Sequence, residues 1–87
     1  MTYTLPTIHL NGTGAATIAN EYTNALCAAS ALRQALAEAT CNARDFYPQG
    51  DHAWIDARNE RAEIFAKLLE IEEYLTAWAT HASDHHG

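Results

Sequence analysis

The stretch Arg44-Asp45-Phe46-Tyr47-Pro48-Gln49-Gly50 separates two long Ala- and Leu-rich segments, and the fold turns on how it is read. Both flanks carry helical periodicity and this segment breaks it, which predicts an all-α antiparallel hairpin of two long helices. A plain interhelical turn needs Gly, Asn, Asp or Pro. Two adjacent aromatics and an arginine are more than a turn requires. Such side chains on a loop held by rigid helices predict a site or an interface.

On the N-terminal side a helix is expected from about 14 to 41. Its stripe is Ile18, Tyr22, Ala25, Ala29, Leu32, Leu36 and Ala39, in heptad-like alternating steps of four and three. The alanines let another helix approach closely, and Leu26 widens the apolar face. On the C-terminal side a helix is expected from about 51 to 82, with Asp51 as N-cap and Gly50 permitting a sharp entry. Its main seam is Ile64, Leu68, Ile71, Leu75, Trp78 and Ala82. A second track carries Ile55, Ala62, Phe65 and Leu69. One partner helix does not cover two tracks. The surplus predicts a homo-oligomeric helical bundle, a four-helix dimer or larger. The competing reading folds the N-terminal arm back over the second track.

Residues 1–13 read as that arm and a turn, 14–82 as the hairpin and 83–87 as a frayed tail. In the arm, Thr7-Ile8-His9-Leu10 alternates as an extended segment does. Asn11-Gly12-Thr13-Gly14 reads as the turn, with Thr13 placed to cap the helix.

The bulk composition narrows the function classes. At 87 residues the chain is one domain with a modest core, of a size that often gains stability by oligomerising. Eighteen alanines favour helix. A net charge of -6 argues against generic duplex nucleic-acid binding, which needs a basic face. No apolar run approaches the ~20 residues of a membrane span, and Met1-Thr2-Tyr3-Thr4-Leu5-Pro6 lacks the pattern of a secretory signal. On one helix, Cys27 and Cys41 stand about 21 Å apart, which excludes an internal disulfide. Two unpaired thiols predict a reducing, cytoplasmic compartment, each Cys acting as a small buried apolar residue.

A hairpin joined near residue 46 sets Arg33 opposite Arg58 and Arg61, with Arg44 in the loop between them. The other half is acidic: Glu21, Glu70, Glu72, Glu73 and Asp84. Arg61 also falls where the heptad expects an apolar residue. The functional reading is an anion pocket. Arg44, Arg58, Arg61 and Arg33 offer forked donors to phosphate or carboxylate, and free amides at the start of the second helix add to them. Phe46, Tyr47 or Trp54 stacks on a flat ring, with Gln49 in the same set. The competing reading pairs these arginines with Asp45, Asp56, Glu60 and Glu63, or sends Arg61 across an oligomer interface. Asn11 and Thr13, in the Gly-containing turn, form a second anion candidate, against ordinary helix capping. The turn lacks the Gly-Lys-Ser/Thr of a P-loop. In a single hairpin it lies at the end opposite the loop; in an antiparallel dimer the two can meet between subunits.

Enzyme constellations are missing. His81 and His85 share a helical face, with Asp84 and His86 nearby, but a frayed end does not build a closed metal site. Glu-Xaa-Xaa-His motifs are absent, and no Ser/His/Asp or Cys/His grouping stands out. The expectation is a non-enzymatic protein without metal or cofactor, with hydrolysis or transfer on a nucleotide as a third reading.

Ile8-His9-Leu10-Asn11-Gly12-Thr13 and Arg44-Asp45-Phe46-Tyr47-Pro48-Gln49-Gly50, set among Ala-rich helices, resemble a group of small phage- and prophage-encoded helical-hairpin proteins. The resemblance implies a phage gene product working in the bacterial cytosol, and it carries no site residues across. By analogy of size, expected oligomery and a basic-aromatic site, the chain is expected to sequester a small anionic, nucleotide-derived ligand, as sponges of bacterial immune signals do. The alternative is a protein-interaction module that inhibits a host protein or serves in phage assembly, with Phe46, Tyr47 and Trp54 as anchors.

Overall fold

Two Ala- and Leu-rich segments become the two long helices, and the Pro- and Gly-containing stretch between them does not continue either. The computed structural model describes residues 2–84. It is an all-α antiparallel hairpin of α1 (Ala15–Glu38) and α2 (Asp51–Asp84), packed against each other. A connector, residues 39–50, joins them and contains a 3₁₀ helix, Ala43–Gln49. The expected tail residues His85, His86 and Gly87 lie outside the described residues, and with them the His85 and His86 part of the metal expectation. Ser83 and Asp84, expected in the tail, belong to α2.

The helix ends differ from the sequence reading in instructive ways. Gly14, extended at φ -63° and ψ 147°, is the N-cap of α1, and no side chain caps it. Thr13 stands one position too early for that role. Its neighbour's carbonyl opens the ladder, Ile18 N–H donating to Gly14 O at 3.1 Å. α1 stops at Glu38 rather than 41. Ala39 turns extended while its N–H is shared between the Ala35 and Leu36 carbonyls. At the far side of the connector, Gly50 adopts φ 99° and ψ 170°, a region open essentially to glycine alone. That sharp entry makes Asp51 the first helical residue and leaves the cap to Gly50.

The register differs too. Tyr22 stacks on Trp78, Arg33 meets Glu72 and Arg61 meets Leu36 and Ala39. α1 therefore lies roughly two turns further along α2 than a tight loop at residue 46 would place it. The cause is the connector, which folds its 3₁₀ helix back onto the start of α2. Phe46 packs on Trp54 there, ring centroids 5.9 Å apart.

The helix seam is also rotated. Ile18 is buried, and Tyr22, Ala29 and Leu36 are half-buried as expected, but Ala25, Leu32 and Ala39 are exposed. Leu26, Ser30 and Arg33 share the buried side instead. A heptad stripe drifts by ~20° per repeat on a straight helix, and the Arg33–Glu72 pair fixes the facing side. On α2, Leu68, Ala79 and Ala82 are buried, whereas Ile64 and Ile71 are 45% and 47% exposed.

The arm does fold back, but not over the second track. It lies on the C-terminal half of α2, where Tyr3 meets Tyr74 edge-on at 5.3 Å and His81 Nε2 donates to the Pro6 carbonyl at 2.7 Å. Ile55, Ala62 and Leu69 stay exposed, and Phe65 is half-buried. Four rings thus run in sequence from α1 through α2 to the arm: Tyr22, Trp78, Tyr74 and Tyr3.

The outcome is a rod of 61 × 22 × 16 Å with a radius of gyration of 18.5 Å. A compact chain of this length has a radius near 12 Å, an order-of-magnitude expectation. The core is thin: among the described residues Ala15, Ile18, Leu68, Ala79 and Ala82 are buried, three of them alanines.

Candidate functional site

The four arginines divide by what their neighbours offer. Arg33 faces α2, and its Nε donates to Glu72 Oε2 at 2.5 Å, with Nη2 at 3.3 Å from Oε1. This fork-to-fork geometry is the strongest form of the pair. The Glu72 carboxylate raises the Arg33 pKa above its ordinary value, through the hydrogen bond first and the charge second. Arg33 is therefore a clasp at mid-rod, away from the connector.

Arg61 closes the end of α1. Its Nη2 donates to the Leu36 carbonyl and, at 3.0 Å, to the Ala39 carbonyl. These are C-terminal carbonyls of a helix that has no basic residue of its own in its last turn. The guanidinium satisfies them and sits at the negative end of the helix dipole. It also lies 5.4 Å from the Phe65 ring centroid, within cation–π range. The arginine in an apolar heptad position is thus a cap supplied from the opposite helix. Among the described residues, no ion pair joins Arg44, Arg58 or Arg61 to Asp45, Asp56, Glu60 or Glu63.

Arg44 and Arg58 remain on the surface. Both are exposed, as are Pro48 and Gln49, and Tyr47 is 72% exposed. Phe46 and Trp54 are half-buried against each other. They anchor the 3₁₀ helix and hold Tyr47 outward, one residue further on. Asp45, Asp51 and Asp56 are exposed at the same end, so its charge is mixed rather than basic. The short helix, fastened to α2 by that ring contact, carries exposed Arg44, Tyr47 and Gln49, and Arg58 is exposed on α2.

Asn11 and Thr13 are both exposed, at the end of the rod opposite the connector. His9 accepts the Gly12 N–H at its carbonyl, 3.1 Å. A Cβ on Gly12 would come within 2.7 Å of the His9 ring, so the turn tolerates little there. Cys27 and Cys41 are free. Cys27 is exposed on α1, contrary to the expectation of a buried residue, and Cys41 is half-buried in the connector rather than on the helix.

The arm docks on the C-terminal half of α2 and not on the second track that the sequence offers it. Tyr3, Leu5, Thr76, Ala77, Thr80 and His81 line a groove of about 600 Å³ between arm and α2. Burial first, then the Glu73 and Glu70 charges, push the Tyr3 hydroxyl above its ordinary pKa. The signal available in sequence was Tyr22, Tyr74 and Trp78 sharing facing helix positions, with Tyr3 the nearest free ring. Connector residues line neither this groove nor a smaller one beside Ile71. Among the described residues no group of three His, Cys, Asp or Glu side chains is placed to hold a metal ion, and no helix is long and apolar enough to cross a membrane.

No protein-family model, no curated protein and no solved structure matches the chain.

Proposed function

We propose that this protein is a non-enzymatic interaction module, a self-associating helical rod that presents the connector tip to a protein partner. One observation carries the reading: Tyr47 stands 72% exposed on a 3₁₀ helix that the Phe46–Trp54 contact fastens to α2. An exposed aromatic on the same short helix as Arg44 has the composition of a binding hot spot. Small-molecule sites are concave and enclosed, and connector residues line neither of the two grooves described above. The resemblance to phage helical hairpins makes a bacterial host protein the first partner to try. The test is capture from bacterial lysate on immobilised protein. A single retained protein, released by Tyr47→Ala and weakened by Arg58→Ala while helicity is unchanged, supports the reading. Equal retention by wild type and Tyr47→Ala would refute it.

Sequestration of a small anionic, nucleotide-like ligand is the second reading. It is favoured by Arg44 and Arg58 being exposed and outside any ion pair found among the described residues. It calls on two arginines rather than four, since Arg33 and Arg61 are engaged in the scaffold. Thermal shifts with cyclic dinucleotides and ADP-ribose derivatives, lost in Arg44→Ala, would put this reading ahead. Recovery of intact ligand after denaturation separates binding from turnover.

A further inference from the structure

Three of the exposed aliphatics fall together, whereas Leu10, Ile55 and Leu69 lie elsewhere. Leu32 is 56% exposed on α1, and Ile64 and Ile71 are 45% and 47% exposed on α2. Leu32 lies seven residues beyond exposed Ala25, and Ile71 lies seven beyond Ile64, so each pair occupies one flank of its helix. The register sets the two flanks side by side. Arg33 meets Glu72 and Leu36 meets Arg61, so Leu32 sits at the level of the α2 span that contains both isoleucines. In an antiparallel pair, the helical phase turns these three side chains to the same face of the rod. Beside Ile71 on that face is a groove of about 300 Å³, lined by Tyr3, Lys67, Glu70, Ile71 and Tyr74.

The exposed area of the rod as a whole leaves room for a second copy. The chain exposes 6295 Å², where a compact monomer of its mass exposes about 5,100 Å². The surplus, about 1,200 Å², is of the order of the ~800 Å² per partner that a standard stable interface removes from solvent. The stripe is also of one kind, branched aliphatics from both helices, and a two-fold axis can match it to itself.

We infer that the Leu32–Ile64–Ile71 face is the self-association surface, and that its occupant is the same face of a second copy. The result is a four-helix dimer whose connector tips stay free. This rests on the self-association part of the function proposed above and specifies its surface. Leu69, 54% exposed, lies on the opposite flank of α2 and stays outside the interface.

Sedimentation equilibrium on the whole chain, with circular dichroism on the same samples, tests it. Wild type is expected at twice the monomer mass of 9.6 kDa. Ile64→Glu and Ile71→Glu are expected to weaken the dimer by about thirtyfold or more, as loss of a hot spot does, and Leu69→Glu is expected to leave it intact. In wild type the thermal midpoint should rise with protein concentration, as linkage requires; this readout needs no variant to fold. A wild type that is monomeric at every concentration, with a constant midpoint, overturns self-association itself. A dimer broken by Leu69→Glu and spared by Ile64→Glu overturns the choice of face alone. Lysate capture through Tyr47 is scored independently of both.

Discussion

Arg61 shows how one residue can carry two incompatible sequence readings and fit neither. Its place in the heptad calls for an apolar side chain, and its charge suggests a ligand or an ion pair. It instead donates to the Leu36 and Ala39 carbonyls and so ends α1. Hydrogen bonds from charged groups contribute about 1.5–3 kcal/mol, so Arg61→Ala should lower the unfolding free energy by about that much. Arg61→Lys should recover only part, because a point charge lacks the fork. Denaturant titration checks both, with an unchanged slope marking a change in stability alone. Tyr3 gives a pH signature. Its pKa is raised above 10.0 when the arm is docked. A raised acid pKa means the folded form holds its proton more tightly. Docking through Tyr3 is therefore fully present below the ordinary tyrosine value and is lost as pH rises through the shifted one. Phenolate absorbance, with Tyr3→Phe as the subtraction, should show one tyrosine titrating late, together with release of the arm.

At the scale of elements, the connector is the part that sets everything else. Gly50 at φ 99° turns the chain from the 3₁₀ helix into α2. No atom lies within 4 Å of a Cβ placed there, so Gly50→Ala carries a purely conformational penalty. The expected loss is about 1–3 kcal/mol, measured by thermal or chemical unfolding, without a change in helix content. The two helices were legible because composition and period agree over long stretches on each side of one breaker. Gly50 was legible because only glycine serves so sharp an entry. The register was not legible. The expected break runs over 42–50, but residues 39–50 all leave the helices, and nothing local in Ala39-Thr40-Cys41 announces it. The end of α1 depends on Arg61, a contact distant in sequence. The place where the arm docks is hidden for the same reason: Tyr3 finds Tyr74 only once α2 has folded. The connector was legible as a place of interest, whereas the division of its arginines followed from the register and could not precede it.

For the whole molecule, the governing fact is a rod of 61 Å with five buried residues among those described. Such a core leaves little margin, since native stability is a small difference between large terms. The four-ring run of Tyr22, Trp78, Tyr74 and Tyr3 is the main tie between α1, α2 and the arm. Trp78→Ala removes its centre and should destabilise by roughly 3 kcal/mol, the low end for an aromatic truncation, because the ring is only half-buried. The arginines divide by position: Arg33 and Arg61 tie the two helices together, and Arg44 and Arg58 face solvent, where the proposed recognition would use them. The most direct test is the thermal unfolding midpoint of the four single Arg→Ala variants, compared at one protein concentration. Arg33→Ala and Arg61→Ala should both melt lower than wild type, by several degrees for Arg61, since about 1 kcal/mol shifts a domain this size by 4–8 °C. Arg44→Ala and Arg58→Ala should melt with wild type. A midpoint unchanged by loss of Arg61, or lowered as much by loss of Arg44 or Arg58, would contradict the account.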